Sequence, residues 1–112
     1  LERNNLSIDD MDVIEFHEAF AGQILANIAA LASDEFAQKN LGRDKAVGQM
    51  NMDKMNLWGG SLSIGHPFGA TGARIMTTTA NRLIAENGKY GLLAACAAGA
   101  HGHASILERY EA

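Results

Sequence analysis

Three side chains in this sequence stand where they could move a proton or stabilise charge at a loop-bordered site near neutral pH: His17, His66 and Cys96. Each also has a plain structural reading. His17 opens His17-Glu18-Ala19-Phe20-Ala21 just beyond a short apolar run, where a polar cap-region group is ordinary and Glu18 suits the positive end of a helix. His66 lies between Gly65 and Pro67, in the stretch Trp58 to Gly72 that holds five glycines in fifteen positions. Such backbone can turn sharply and approach other groups closely. With Pro67 fixing the direction of exit, the loop reads as a device that places His66 in a crowded site. Cys96 ends an apolar run and is followed by Ala97-Ala98-Gly99-Ala100. Residues that small let a ligand reach backbone amides beside the thiol, which pairs a thiol acid/base with an oxyanion site.

Other constellations are weaker. Gly65, Gly69 and Gly72 are spaced G-x-x-x-G-x-x-G, which is neither the dinucleotide fingerprint nor a P-loop. His101-x-His103 near Cys96 has metal-ligand types but no fourth ligand and no C-x-x-C partner, so solvated strand histidines and no metal are expected. Met50, Met52 and Met55 read as loop packing, and Asp34-Glu35 as a solvated helix end.

The elements that must position these residues follow from periodicity. Met11 to Phe16 reads as a short strand, and His17-Glu18 should lead into a helix whose stripe is Phe20, Ile24, Ile28 and Leu31, with alanine filling from Ala19 to Ala32. Residues 33–57 lack a clean period and read as a surface excursion with short helical turns. The glycine loop opens into a second helix with the stripe Ile75, Met76, Ala80, Leu83 and Ile84, stopped by Asn87-Gly88. Tyr90 to Cys96 is a buried strand by its continuous apolar character. After a small-residue turn from Ala97 to Gly102, a final half-exposed strand places Ala104, Ile106 and Tyr110 on one side and His103, Ser105 and Arg109 on the other. Those two strands should pair antiparallel. The order implies an α/β layer, a mixed sheet with helices packed on it. Ligands in such sheets gather beyond the carboxyl ends of the strands, where His17, the His66 loop and Cys96 all fall.

Composition bounds the rest. The 112 residues are 47% hydrophobic and 20% charged, which suits one ordinary folded unit or part of one. Nine Lys and Arg against thirteen Asp and Glu, with no basic run, argue against nucleic-acid binding. No apolar stretch approaches the roughly 20 residues that span a bilayer. One cysteine excludes an internal disulfide and leans towards a reducing compartment. The chain begins at Leu1 without a leader, so a fragment is expected, with any targeting signal outside it.

Three blocks carry a family resemblance. His17-Glu18-Ala19-Phe20-Ala21, Gly59-Gly60-Ser61 through Gly65-His66-Pro67-Phe68-Gly69-Ala70-Thr71-Gly72, and Cys96-Ala97-Ala98-Gly99 resemble, in order and separation, the three C-terminal active-site motifs of the thiolases. The His-Glu-Ala-Phe form and the Ala-Ala-Cys-Ala-Ala-Gly stretch are most similar to long-chain 3-ketoacyl-CoA thiolases of the mitochondrial trifunctional type, whose thiolase is the beta subunit. Acetoacetyl-CoA thiolases usually carry Asn-Glu-Ala-Phe and a Cys-x-Gly-Gly-Gly run instead. The resemblance implies a thiolase-like fold, with residues 1–112 forming the C-terminal portion of the thiolase C-terminal domain and the N-terminal domain absent.

The resemblance also implies thiolysis in fatty-acid β-oxidation: 3-ketoacyl-CoA and CoA give acetyl-CoA and a shortened acyl-CoA. The position matching His66 activates the nucleophilic cysteine and helps to form an oxyanion hole. The position matching Cys96 protonates the leaving enolate and later deprotonates CoA. His17 matches a position, usually Asn, that holds a water in the first oxyanion hole, and Ala98 matches a glycine whose N–H serves the second. Ala100-His101-Gly102 replaces the usual Gly-Gln-Gly of the closing turn. The nucleophile and most nucleotide contacts belong to the N-terminal half, so the 112 residues alone are expected to be inert. CoA enters as substrate, with no separate cofactor and no cofactor-binding residues assigned. A homo-oligomer, an alpha-subunit partner and a mitochondrial, inner-membrane-associated setting are further implications. Alternatives are a non-catalytic acyl-CoA-binding or interaction module on the same fold and a biosynthetic condensing thiolase.

Overall fold

Val13, Ile14, Glu15 and Phe16 are all buried, which requires packing on both faces of the strand they form. The computed structural model describes residues 1–110, and that strand is β1 (Val13–Phe16). It is followed by α1 (Ala21–Leu31), α2 (Asp34–Phe36), α3 (Ser61–Ile64), α4 (Thr71–Ala85), β2 (Tyr90–Ala97) and β3 (His101–Glu108). The sheet order is β1-β2-β3, parallel between β1 and β2 and antiparallel between β2 and β3. Both the mixed sheet and the antiparallel pair agree with the sequence reading. Asp12 sets the parallel register from below, because one carboxylate oxygen accepts from the backbone N–H groups of Lys89 at 2.6 Å and Tyr90 at 3.1 Å.

One sheet face is the apolar core. Ile14, Phe16 and Leu92 meet Ile8, Met11, Ile24, Met50 and Met55, with Ile28, Leu31 and Ile106 packed around them. Each large side chain removed from water here contributes about 1.5–3 kcal/mol. Two of the three excursion methionines, Met50 and Met55, are therefore core, whereas Met52 is exposed. The excursion carries α2, a π-helical turn at Ala37–Leu41 and a 3₁₀ turn at Met52–Lys54. Asp34 is not merely solvated: its carboxylate accepts from the Ala46 N–H at 2.7 Å and from Lys45 at 3.1 Å, closing the loop.

The other face is covered by α4, whose buried residues are Thr71, Ile75, Thr79, Arg82 and Leu83. The expected stripe is corrected here. Ile75 and Leu83 are inside, but Met76, Ala80 and Ile84 are exposed, because the buried line follows small Thr79 over the bare backbone of Gly91. Phe20 likewise leaves its stripe: it is the extended N-cap of α1 and 74% exposed. The turn expected over residues 97–102 is tighter, since β2 runs on to Ala97, which pairs with His101, leaving Ala98-Gly99-Ala100 as the loop. Gly99 and Ala100 take φ of 84° and 60°, the left-handed residues such a loop needs. Tyr110 is exposed rather than aligned with Ile106. No helix among the described residues is long and apolar enough to cross a membrane.

Candidate active site

Parallel pairing of β1 and β2 puts the residues after Phe16 and the end of β2 at the same edge of the sheet. His17 continues β1 by one residue, donating its backbone N–H to the Ala94 carbonyl at 2.8 Å. A cavity of about 400 Å³ opens there, lined among others by His17, Gln23, Asn27, Cys96 and His103. The Cys96 thiol, half-buried and free, donates to Gln23 Oε1 at 3.7 Å. His66 arrives from the glycine loop, and its ring centroid lies 4.2 Å from that of His17 at a 40° tilt. The His66 ring also meets that of Phe68, with centroids 4.8 Å apart at a 47° tilt.

Both imidazoles are held through Nδ1 by a hydroxyl. His66 Nδ1 lies 2.7 Å from Thr71 Oγ1, whose own proton goes to the Pro67 carbonyl at 3.3 Å. With its proton on that carbonyl, the Thr71 hydroxyl accepts from His66 Nδ1–H, which leaves a lone pair on Nε2. His17 Nδ1 lies 2.8 Å from Ser61 Oγ, which also accepts from Arg74 Nη2 at 3.1 Å. Burial first, then the neighbouring His66 and Arg74, push the His17 pKa down, with Glu18 opposing, so His17 is neutral at physiological pH.

Glu18 corrects the expectation that it opens α1, which starts three residues later at Ala21. Its carboxylate instead accepts from the Leu62 N–H at 3.0 Å, at the start of α3, and from Asn56 Nδ2 at 2.8 Å. The electrostatic logic of a carboxylate at a helix N-terminus survives, transferred to a different helix. Asn56, at φ 50°, copies a strand edge with its amide: Oδ1 accepts from Phe16 N–H at 2.9 Å, and Nδ2 donates to Phe16 O at 3.0 Å. Gly60 is required beside them, because a Cβ there would overlap the Glu18 carboxylate.

A buried ion pair fastens β1 to α4. Arg82 has no exposed side-chain surface, and its Nη1 donates to Glu15 Oε1 at 2.7 Å and to the Lys54 carbonyl at 3.1 Å. Its Nε donates to Glu86 at 2.7 Å. Burial pushes the Glu15 carboxyl up while Arg82 pulls it down, and the balance is upward. Burial alone would lower Arg82, but Glu86 and then Glu15 outweigh it and hold the guanidinium charged.

The family profile described as "Thiolase, C-terminal domain" matches residues 1–109. The chain belongs to the thiolase family. It is 60% identical over 110 residues to the mitochondrial trifunctional enzyme subunit beta of Bos taurus, covering 98% of this chain and 23% of that protein. It is 54% identical over 110 residues to the probable 3-ketoacyl-CoA thiolase of Caenorhabditis elegans, covering 98% of this chain and 25% of that one. Among solved structures, human mitochondrial 3-ketoacyl-CoA thiolase in complex with CoA superposes with a TM-score of 0.76 at 32% identity, covering 99% of this chain and 24% of that chain. This thiolase chain thus spans about a quarter of the length of the relatives it matches.

Within this thiolase domain, the structure brings His17 and His66 into ring contact and places His17 and Cys96 on one cavity. Ala98 lies in the exposed β2–β3 turn two residues beyond Cys96. His103 lines the same cavity and meets Ser105 Oγ at 2.7 Å, and no group of metal-binding side chains occurs among the described residues. Sequence reasoning missed Asn56, Ser61, Thr71, Arg74 and Arg82. The hydroxyls at the first positions of α3 and α4 were the available signal, because a first-turn Ser or Thr is free to bond outside its helix.

Proposed function

We propose that the protein containing this domain is a 3-ketoacyl-CoA thiolase of fatty-acid β-oxidation, which cleaves 3-ketoacyl-CoA with CoA to acetyl-CoA and a shortened acyl-CoA. The observation that carries the reading is buried His17, whose ring lies 4.2 Å from that of loop-borne His66 and which lines one cavity with the free cysteine Cys96. Residues 1–112 then form the C-terminal portion of the thiolase C-terminal domain, and the nucleophilic cysteine lies outside them.

In this reading His66 Nε2 takes the proton of the nucleophilic thiol, and the thiolate attacks the C3 carbonyl of the substrate. The C2–C3 bond breaks, and the electron pair passes to the enolate of acetyl-CoA, which takes the Cys96 proton. The Cys96 thiolate next removes the proton of incoming CoA, whose sulfur attacks the acyl-enzyme; the nucleophilic cysteine leaves as a thiolate, recovers its proton from His66, and the shortened acyl-CoA is released. His17 holds a water in the first oxyanion hole, and the Ala98 backbone N–H serves the second hole. CoA is substrate throughout, and no further cofactor is invoked. The names of the relatives support a mitochondrial setting and CoA binding; a homo-oligomer, an alpha-subunit partner and inner-membrane association complete the proposal. In the intact protein, His66→Ala should lower thiolysis by at least about 10²-fold. Full thiolysis retained in that variant would sink the assignment, and acyl-CoA binding without turnover in the parent would favour a non-catalytic module.

A further inference from the structure

The proton on His17 is fixed by its surroundings. Ser61 Oγ has one proton and two lone pairs, and Arg74 Nη2, which can only donate, occupies one lone pair at 3.1 Å. Among the described residues, the acceptor left for the Ser61 proton is His17 Nδ1 at 2.8 Å. Arg74 is itself anchored, because its Nη1 donates to the Gly65 carbonyl at 2.8 Å, beside His66. Ser61 is buried and Glu18 holds the start of its helix, so the hydroxyl cannot turn away without breaking these contacts. If Ser61 donates to Nδ1, the single proton of a neutral imidazole sits on Nε2.

We propose that Ser61 and Arg74 are positioning residues that fix the proton of His17 on Nε2, so that this ring serves the first oxyanion hole and its water as a hydrogen-bond donor. This inference rests on the thiolase reading above. It gives the two touching imidazoles opposite tautomers. His66 Nε2 accepts a proton, and His17 Nε2–H offers one in a hydrogen bond. With Ser61 removed, Nδ1 loses its donor and the Nδ1–H form, which turns a lone pair towards the oxyanion hole, is no longer excluded.

The experiment is a cycle in the intact protein, measuring kcat, KM and thermal unfolding on one 3-ketoacyl-CoA substrate. Ser61→Ala and Arg74→Met should each lower kcat by roughly 10- to 100-fold with KM changed little, part of what one oxyanion donor supplies. His17→Asn carries its own N–H donor and should stay within about tenfold of the parent. In that background Ser61→Ala should cost less than about threefold, since an amide has no tautomer to set. Equal losses from Ser61→Ala in both backgrounds would make its role purely structural and overturn the proposal. Loss of turnover in His17→Asn would overturn it too, by showing that an imidazole is needed and not a donor. An inactive His66→Ala with a fully active Ser61→Ala removes this proposal alone, whereas a fully active His66→Ala removes the thiolase reading with it.

Discussion

Replacing Arg82 by Met tests whether the ion pair under α4 holds the site together. Arg82 is fully buried, and Glu15 shows 2% of its side-chain surface. Removing one partner of such a pair costs about 3–5 kcal/mol, because a carboxylate remains without compensation. The Lys54 carbonyl also loses a donor, worth about 1 kcal/mol. Burial already raises the Glu15 pKa, so proton uptake relieves part of the loss, and about 4 kcal/mol is expected. That approaches the total stability of a small domain, about 5–15 kcal/mol. The assay is urea unfolding of the intact protein, with hydrogen exchange read on peptides spanning β1 and α4. Arg82→Met should lose protection in both elements and lower kcat, because Glu15 stands two residues before His17. Adding Glu15→Leu should restore more than half of the lost stability, since removing both charges is close to neutral. A loss below about 1 kcal/mol in Arg82→Met, or a double variant as weak as the two single losses combined, would refute the reasoning.

Gly91→Ala should cost about 1–3 kcal/mol by thermal unfolding, because the new Cβ overlaps Thr79 and forces α4 off the sheet; an unchanged midpoint would show that the interface has slack. Gly60→Ala, at a φ of −104° that any residue adopts, should displace the Glu18 carboxylate and lower kcat, and full activity would show that Glu18 does not position the loop. Ala100→Gly should stabilise by about 0.5–1 kcal/mol, because Ala100 sits at φ 60°, and a loss of stability in urea titration would contradict this. His17 has a folded pKa below its ordinary value near 6.5, so between the two values the unfolded chain binds the extra proton. Its contribution is complete above pH 6.5 or so and is lost as pH falls through the folded value. Unfolding free energies at about pH 7.5 and about pH 5.5 should therefore differ more in the parent than in His17→Asn, and equal differences would refute it.

Much of the fold was readable from side-chain period alone. A short strand read over Met11 to Phe16, of which Val13–Phe16 is β1, an alanine-rich helix and an apolar run ending near Cys96 are local patterns, and local patterns survive without knowing what lies opposite. Strands of one sheet then gather His17 and Cys96 at one edge by direction alone. What could not be read depends on partners distant in sequence. Arg82 is a surface residue by type, and it becomes core only because Glu15, 67 positions earlier, is buried beneath it. The same burial takes the place that Met76 and Ile84 were expected to fill. Glu18 was read correctly as a residue for a helix N-terminus, but adjacency favoured α1 over α3, whose Leu62 N–H lies 44 positions on.

The two histidines show how one local device can give opposite chemistry. Ser61 and Thr71 are the first residues of α3 and α4, and each hydroxyl reaches a histidine Nδ1, at 2.8 and 2.7 Å. Position does not distinguish them; their third partner does. Thr71 has an acceptor, the Pro67 carbonyl, and with its proton there it receives the His66 proton. Ser61 has a donor, Arg74, so its proton is left for His17. A carbonyl in one place and a guanidinium in the other thus decide which ring carries a basic Nε2 and which a donor Nε2–H. It follows that exchanging the hydroxyl residues, Ser61→Thr with Thr71→Ser, should perturb catalysis less than removing Arg74. The proton direction is written in the partner and not in the hydroxyl.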